Sequence, residues 1–224
     1  MLHAAWVAMP ALVAGGCSGP LSTLDAAGPA ARDVAMLWWV MLAGATVLTL
    51  LVVVLLALAF LRRQGEGQTG AALWIGWLGL ALPGAVLLAL LGSALVLGER
   101  MIARSDPGAV LVEATGHQWF WEFRQPGLEG PIATRDVLHI PAGRPVHVRI
   151  AAADVIHSFW VPRLAGKMDA IPGHVNLLRI QAARPGEFEG QCAEFCGLEH
   201  ASHRFRVVAH DEAGWAAFQR GEMP

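Results

Sequence analysis

Two apolar runs, residues 34–61 and residues 71–98, limit what this chain can fold into. Neither contains an Asp, Glu, Lys or Arg. Each is long enough to cross roughly 30 Å of hydrocarbon with some tilt. As core helices of a soluble protein both runs are too long and too free of charge, whereas a central Arg or Asp in a membrane helix would cost about 2.5–3.5 kcal/mol. Trp38, Trp39, Trp74 and Trp77 sit near the starts of the two runs, at the interfacial level. The first run stops at Arg62-Arg63 and the second at Glu99-Arg100. The expectation is a two-helix transmembrane hairpin, 34–61 and 71–98, joined by a polar turn at 62–70. Pro83-Gly84 falls inside the second run and is expected to kink it. Arg62 and Arg63 favour a cytoplasmic turn, which puts both termini and everything after the hairpin outside.

The segment before the hairpin fits that orientation. Residues 1–16 are mostly small and apolar, too short to span, and read as a signal segment. Its end, Leu12-Val13-Ala14-Gly15-Gly16-Cys17, resembles a bacterial lipoprotein cleavage site, which implies lipidation of Cys17. Ala14 stands where leucine is usual, and no Lys or Arg precedes it. Residues 17–33 read as a periplasmic linker.

Past residue 105 the pattern changes to short β-type runs between Gly and Pro breaks. Segments 110–114, 118–123, 137–140, 146–150, 175–180, 187–191 and 205–209 alternate or are β-branched. About seven strands in roughly 105 residues argue for an all-β sandwich or barrel over 105–212. Residues 211–219 have a helical pattern, and 213–224 form a C-terminal tail. The net charge of −2 gives no footprint for nucleic acid.

The chemistry lies late in the chain. Cys192 and Cys196 are separated by three residues, and His200 follows at the same interval. His157 comes from a different segment. Sulfur with imidazole is a donor set for copper or zinc. In an oxidising compartment the cysteine pair also reads as a disulfide, although that leaves His157, His200 and Glu194 without a role. Two thiolates bridging two metals, with an imidazole at each end, suit a one-electron carrier more than a catalyst. The other histidines, His117, His139, His147, His174 and His210, have no partner spacing.

Three motifs are similar to subunit II of the cytochrome c oxidases. They are Gly116-His117-Gln118-Trp119-Phe120-Trp121, the stretch from Asp154 to Trp160 continuing through Lys167-Met168-Asp169-Ala170-Ile171-Pro172-Gly173, and Gly190-Gln191-Cys192 to His200. The resemblance covers nearly the whole chain. It implies a cupredoxin-like sandwich carrying binuclear copper A in the bacterial inner membrane, with the copper domain periplasmic. It implies that Cys192 and Cys196 bridge two coppers and that His157 and His200 are terminal ligands. The Glu194 carbonyl would be a weak ligand, and its carboxylate would reach a magnesium at the border with subunit I. Trp119 would accept electrons from a c-type cytochrome, and Asp154 would serve in docking. The implied partners are oxidase subunit I, which carries the haem, and subunit III.

The chain departs from the family at three places. His203 stands where the family has a methionine ligand; it could bind copper, turn away, or mark an altered site. Gly76 stands where many members have a glutamate at a proton path, and His174 where an arginine is frequent. Glu122, Glu129, Asp136 and Asp154 are acids able to attract a basic cytochrome, although Arg124, Arg135 and Arg144 dilute them. Trp119 and Trp121 are expected to share one face of a strand, with Phe120 on the other. Two other functions compete. One is a quinol-oxidase subunit with a structural β-domain, which would lack these donors; the other is a membrane-tethered copper-delivery module.

Overall fold

The computed structural model describes residues 17–61, 70, 72–102, 106 and 108–222. The readings made on the signal segment and on Arg62-Arg63 lie outside those residues. Two units form, one of residues 36–102 and one that joins residues 1–35 to residues 103–224.

The first unit is helical. Helix α1 runs over Pro29–Leu61, a π-helical segment over Leu73–Ala81, and α2 over Leu82–Met101. The spans of 33 and 29 residues have hydropathies of 2.8 and 2.4, long and apolar enough to cross a membrane. α1 starts five residues ahead of its apolar run. Pro29 opens it, where a missing N–H costs nothing. Pro83 does not end the second span. It lacks an N–H, and the turns just before it widen, so that the Leu82 N–H donates to the Trp77 carbonyl. Gly76 lies in this widened segment and is exposed.

The second unit is a β-sandwich of two five-stranded sheets. The strands are β1 Val110–His117, β2 Phe120–Pro126, β3 Pro131–Arg135, β4 Val137–Pro141, β5 Val146–Ala152, β6 His157–Trp160, β7 Met168–Ala170, β8 Asn176–Ile180, β9 Gly186–Cys192 and β10 Arg204–His210. One sheet has the order β3-β2-β1-β5-β8 and the other β4-β10-β9-β6-β7. The pairs β1·β5 and β4·β10 are parallel; the rest are antiparallel. The inner faces bury Val112, Phe123, Ile140, Ile150, Phe159 and Val207. Each such side chain contributes about 1.5–3 kcal/mol.

Among the described residues ten strands stand where about seven are expected. The additional three, β3, β6 and β7, have five, four and three residues. β6 is buried along most of its length and shows no alternation. Trp119 is not on a strand. Gln118 and Trp119 form the turn between β1 and β2, and His117 pairs with Phe120 across it. Trp119 and Trp121 therefore do not share a face: Trp119 is 37% exposed and Trp121 is 0% exposed.

The described residues ahead of α1 and those after β10 fold onto the sandwich. The segment read as a linker is strapped down, with the Ala27 and Gly28 N–H groups donating to the Arg163 carbonyl and the Ala183 N–H to the Ala27 carbonyl. Arg163 adds an ion pair to Asp25 at 3.0 Å. The segment read as a tail is helix α3, Glu212–Gln219, capped by Asp211, whose carboxylate accepts from the Gly214 N–H. α3 buries Trp215 and Phe218, so the packed domain extends past 212.

Candidate metal centre

The register of three strands builds the site. β6 runs antiparallel to β9 with Phe159 opposite Cys192, so His157 lies beside the chain leaving β9. The loop 193–203 joins β9 to β10. The Cys192 N–H donates to the His203 carbonyl, closing the loop at its base, and the Ala193 N–H donates to the Ser158 carbonyl. Within it, residues His200–Ser202 form a single 3₁₀ turn.

This arrangement brings the sequence candidates together. Cys192 Sγ lies 3.8 Å from Cys196 Sγ, 3.9 Å from His157 Nδ1 and 3.2 Å from the Glu194 carbonyl oxygen. Cys196 Sγ lies 3.7 Å from His200 Nδ1 and 3.5 Å from His203 Nδ1. His157, Cys192, Cys196 and His203 are all buried, with their donor atoms within 4.8 Å of one another. His203 thus turns inward. The Glu194 carboxylate lies 3.6 Å from Lys167 Nζ.

Burial opposes charge on both thiols, yet they diverge. Cys192 falls below the usual thiol range because hydrogen bonds from His157 and His203 overcome its burial. Cys196 rises, through burial and the neighbouring Cys192 charge. The pair therefore favours one thiolate and one thiol, and a bound cation removes the obstacle to the second ionisation.

Asp154 is the principal support that sequence reasoning missed. Its Oδ1 accepts from His157 Nε2 at 2.7 Å and from the Val155 N–H at 2.6 Å; its Oδ2 accepts from the Gln118 N–H at 2.7 Å. An ionised carboxylate only accepts, so Nε2 carries a proton, and a neutral ring then presents the unprotonated lone pair of Nδ1 toward Cys192. Burial raises the Asp154 carboxyl and these hydrogen bonds lower it further, leaving it below its ordinary value. His157 rises despite burial, through Cys192 and Asp154. The signal for this role was present: an acid three residues before a candidate ligand.

Two close approaches need glycine. A Cβ on Gly116 would come within 2.9 Å of the His157 ring. A Cβ on Gly197 would stand 3.1 Å from Trp119 Cζ2, so the indole lies directly on the residue after Cys196. Gln118 Nε2 donates to the Cys196 carbonyl at 2.8 Å. The β1–β2 turn thus touches the thiol loop through two adjacent side chains, with Phe195 and Leu198 exposed beside it. Trp121 lies beneath, stacked on His203 at 5.7 Å between ring centroids.

The remaining candidates lie elsewhere. Glu122 pairs with Arg124 at 3.0 Å. Asp136 accepts from the Trp121 N–H at 2.7 Å and holds a left-handed turn at φ 57°. His139 and His210 share a hydrogen bond of 2.8 Å and stack beside Phe218. His174 bonds to Asn176, His117 stacks on Phe120, and His147 is buried. Cys17 is exposed with a free thiol.

The chain is similar to known proteins over most of its length. The family model described as the periplasmic domain of cytochrome c oxidase subunit II matches residues 125–210. Cytochrome c oxidase subunit 2 of Alkalihalophilus pseudofirmus is 34% identical over 229 residues, 92% of this chain and 64% of that protein. Its counterpart in Metridium senile is 33% identical over 177 residues, 70% of this chain and 69% of that protein. The crystal structure of the periplasmic domain of subunit II of cytochrome oxidase of Bradyrhizobium japonicum aligns at 28% identity with a TM-score of 0.47, over 55% of this chain and 100% of that one. The chain spans 64% and 61% of the first curated relatives it matches. With two helices able to cross a membrane ahead of a domain of this kind, the chain belongs to the cytochrome c oxidase subunit II family.

Proposed function

We propose that the chain is the electron-accepting subunit of a haem-copper cytochrome c oxidase. It takes electrons singly from a c-type cytochrome at a binuclear copper centre in its periplasmic domain and delivers them toward haem in subunit I. There oxygen reduction and proton translocation occur, so this chain is not catalytic alone. The observation that carries the reading is the convergence of three imidazoles and the Glu194 carbonyl on two thiols 3.8 Å apart.

The donors fit soft metal. Thiolate and imidazole select copper over hard cations. The His203 ring supports the fit, because it is buried with its Nδ1 3.5 Å from Cys196 Sγ, placing a third imidazole nitrogen among the donors. His157 and His200 would cap the pair, Cys192 and Cys196 would bridge it, and His203 would replace the usual thioether. Bridged copper supplies one-electron redox in which two ions share the charge change.

The protein's own part is placement. Asp154 fixes the His157 tautomer. Trp119 offers an exposed indole above Gly197, beside Cys196. Phe195 and Leu198 give a partner an apolar rim, and nearby acids steer a basic one. The test is copper content per chain together with electron paramagnetic resonance of the purified complex. Two coppers with one unpaired electron spread over both are expected; absence of copper refutes the reading.

A further inference from the structure

The donors do not form one symmetrical set. His157, Cys192, Cys196 and His203 lie within 4.8 Å of one another. His200 touches Cys196 at 3.7 Å but stands outside that set. The four are among the most buried groups in the domain, at 0%, 3%, 3% and 1% exposure. A tetrahedral ion with bonds of about 2.3 Å to sulfur and about 2.05 Å to nitrogen requires a sulfur–sulfur edge of about 3.8 Å and sulfur–nitrogen edges of about 3.6 Å. The chain shows 3.8 Å between the sulfurs, 3.9 Å from Cys192 to His157 and 3.5 Å from Cys196 to His203. A thioether at position 203 would leave three strong donors and a weak fourth. Imidazole closes the shell.

We propose that His203 makes this inner half of the centre self-sufficient. His157, Cys192, Cys196 and His203 bind a single divalent ion of the zinc class, one per chain, with His200 left out. The inference rests on the loop being the metal centre described above. Its consequence is competition, because a chain closed around one zinc has committed both sulfurs and cannot take up a copper pair until that ion leaves.

The test uses the full chain in detergent, metal-free and with both thiols reduced. Zn²⁺ is titrated against a chromophoric chelator, and Co²⁺ serves as the optical probe. One zinc per chain and a tetrahedral cobalt-thiolate spectrum are expected. His203→Met weakens zinc binding by more than the roughly 10–100-fold that loss of a supporting residue costs. His200→Ala leaves the zinc affinity and the cobalt spectrum unchanged. X-ray absorption of the zinc-loaded natural chain needs no variant, and two sulfur and two nitrogen neighbours are expected. A loss in His200→Ala as large as that in His203→Met overturns the proposal, as does a five- or six-coordinate ion. Copper loading is measured in parallel. A chain that takes two coppers but no zinc refutes this proposal alone; a chain that takes neither refutes the metal-centre reading as well.

Discussion

Asp154→Asn separates two roles for one carboxylate. The family resemblance implies docking of a cytochrome, whereas the hydrogen bonds imply orientation of His157. Asparagine keeps the shape but replaces one acceptor oxygen by an NH₂. Asp154 uses both oxygens, Oδ1 toward His157 and Val155 and Oδ2 toward Gln118. Whichever way the amide is turned, an NH₂ meets an N–H. One charge-assisted bond of about 1.5–3 kcal/mol is lost, and the imidazole is no longer held with Nδ1 toward Cys192. Loss of such a support costs about 10–100-fold in metal affinity, or about 1.4–2.7 kcal/mol. The two routes agree, so Asp154→Asn is expected to weaken copper retention by that factor with no partner present. Chelator competition on the full chain in detergent measures it. If copper affinity is unchanged and only the salt dependence of cytochrome oxidation moves, the positioning argument is wrong and the residue is a docking group.

Three further outcomes follow from the same structure. Trp119→Leu is expected to slow electron uptake from a c-type cytochrome while copper content and spectrum stay unchanged; a fall in copper content would show the indole to be structural. His139 is held well below its ordinary value of 6.5, at about 4, by burial and by the neighbouring His210 and Arg206. The unfolded chain therefore takes up this proton first, and stability present above about pH 6.5 is lost as pH falls toward 4, by about 3 kcal/mol in all. Urea midpoints at pH 7 and pH 4.5 report the loss, and His139→Phe should flatten that part of the profile. At Gly28 a Cβ would run into the Gln181 carbonyl and meet the Leu164 carbonyl at 2.7 Å, both backbone. Gly28→Ala is thus expected to lift the strap and destabilise the domain by about 1–3 kcal/mol, read as faster proteolysis near residue 28; an unchanged digestion pattern would contradict it.

The sequence made the spans and most strands legible because lipid and a one-sided core each impose a period. Residues 34–61 are too long and too free of charge for the competing reading, a buried core helix, and β1 and β10 alternate along their length. β6 and β7 escaped because a strand of three or four residues is too short to show a period. β3 escaped because its alternation is only between half-buried and exposed positions. Trp119 was misplaced because its turn has two residues and neither is Gly or Asn, the usual signal. At the site, donor identity was readable from spacing. The inward turn of His203 depends on its burial against Trp121. Asp154 stands visibly three residues before His157, but its second anchor is a backbone N–H 36 residues away. Neither is a local property of the chain.

The bond from the Cys192 N–H to the His203 carbonyl has a consequence for how metal comes and goes. It clamps the ends of the loop into the β9–β10 ladder, so the chain entropy of closing that loop, which grows only as the logarithm of its length, is settled when the sheet forms. An ion that binds afterwards finds a ring already drawn shut, and an ion that leaves does not open it. Exchange at this centre is therefore expected to run at the pace of ligand substitution and dehydration, with no unfolding step between the empty and the loaded chain.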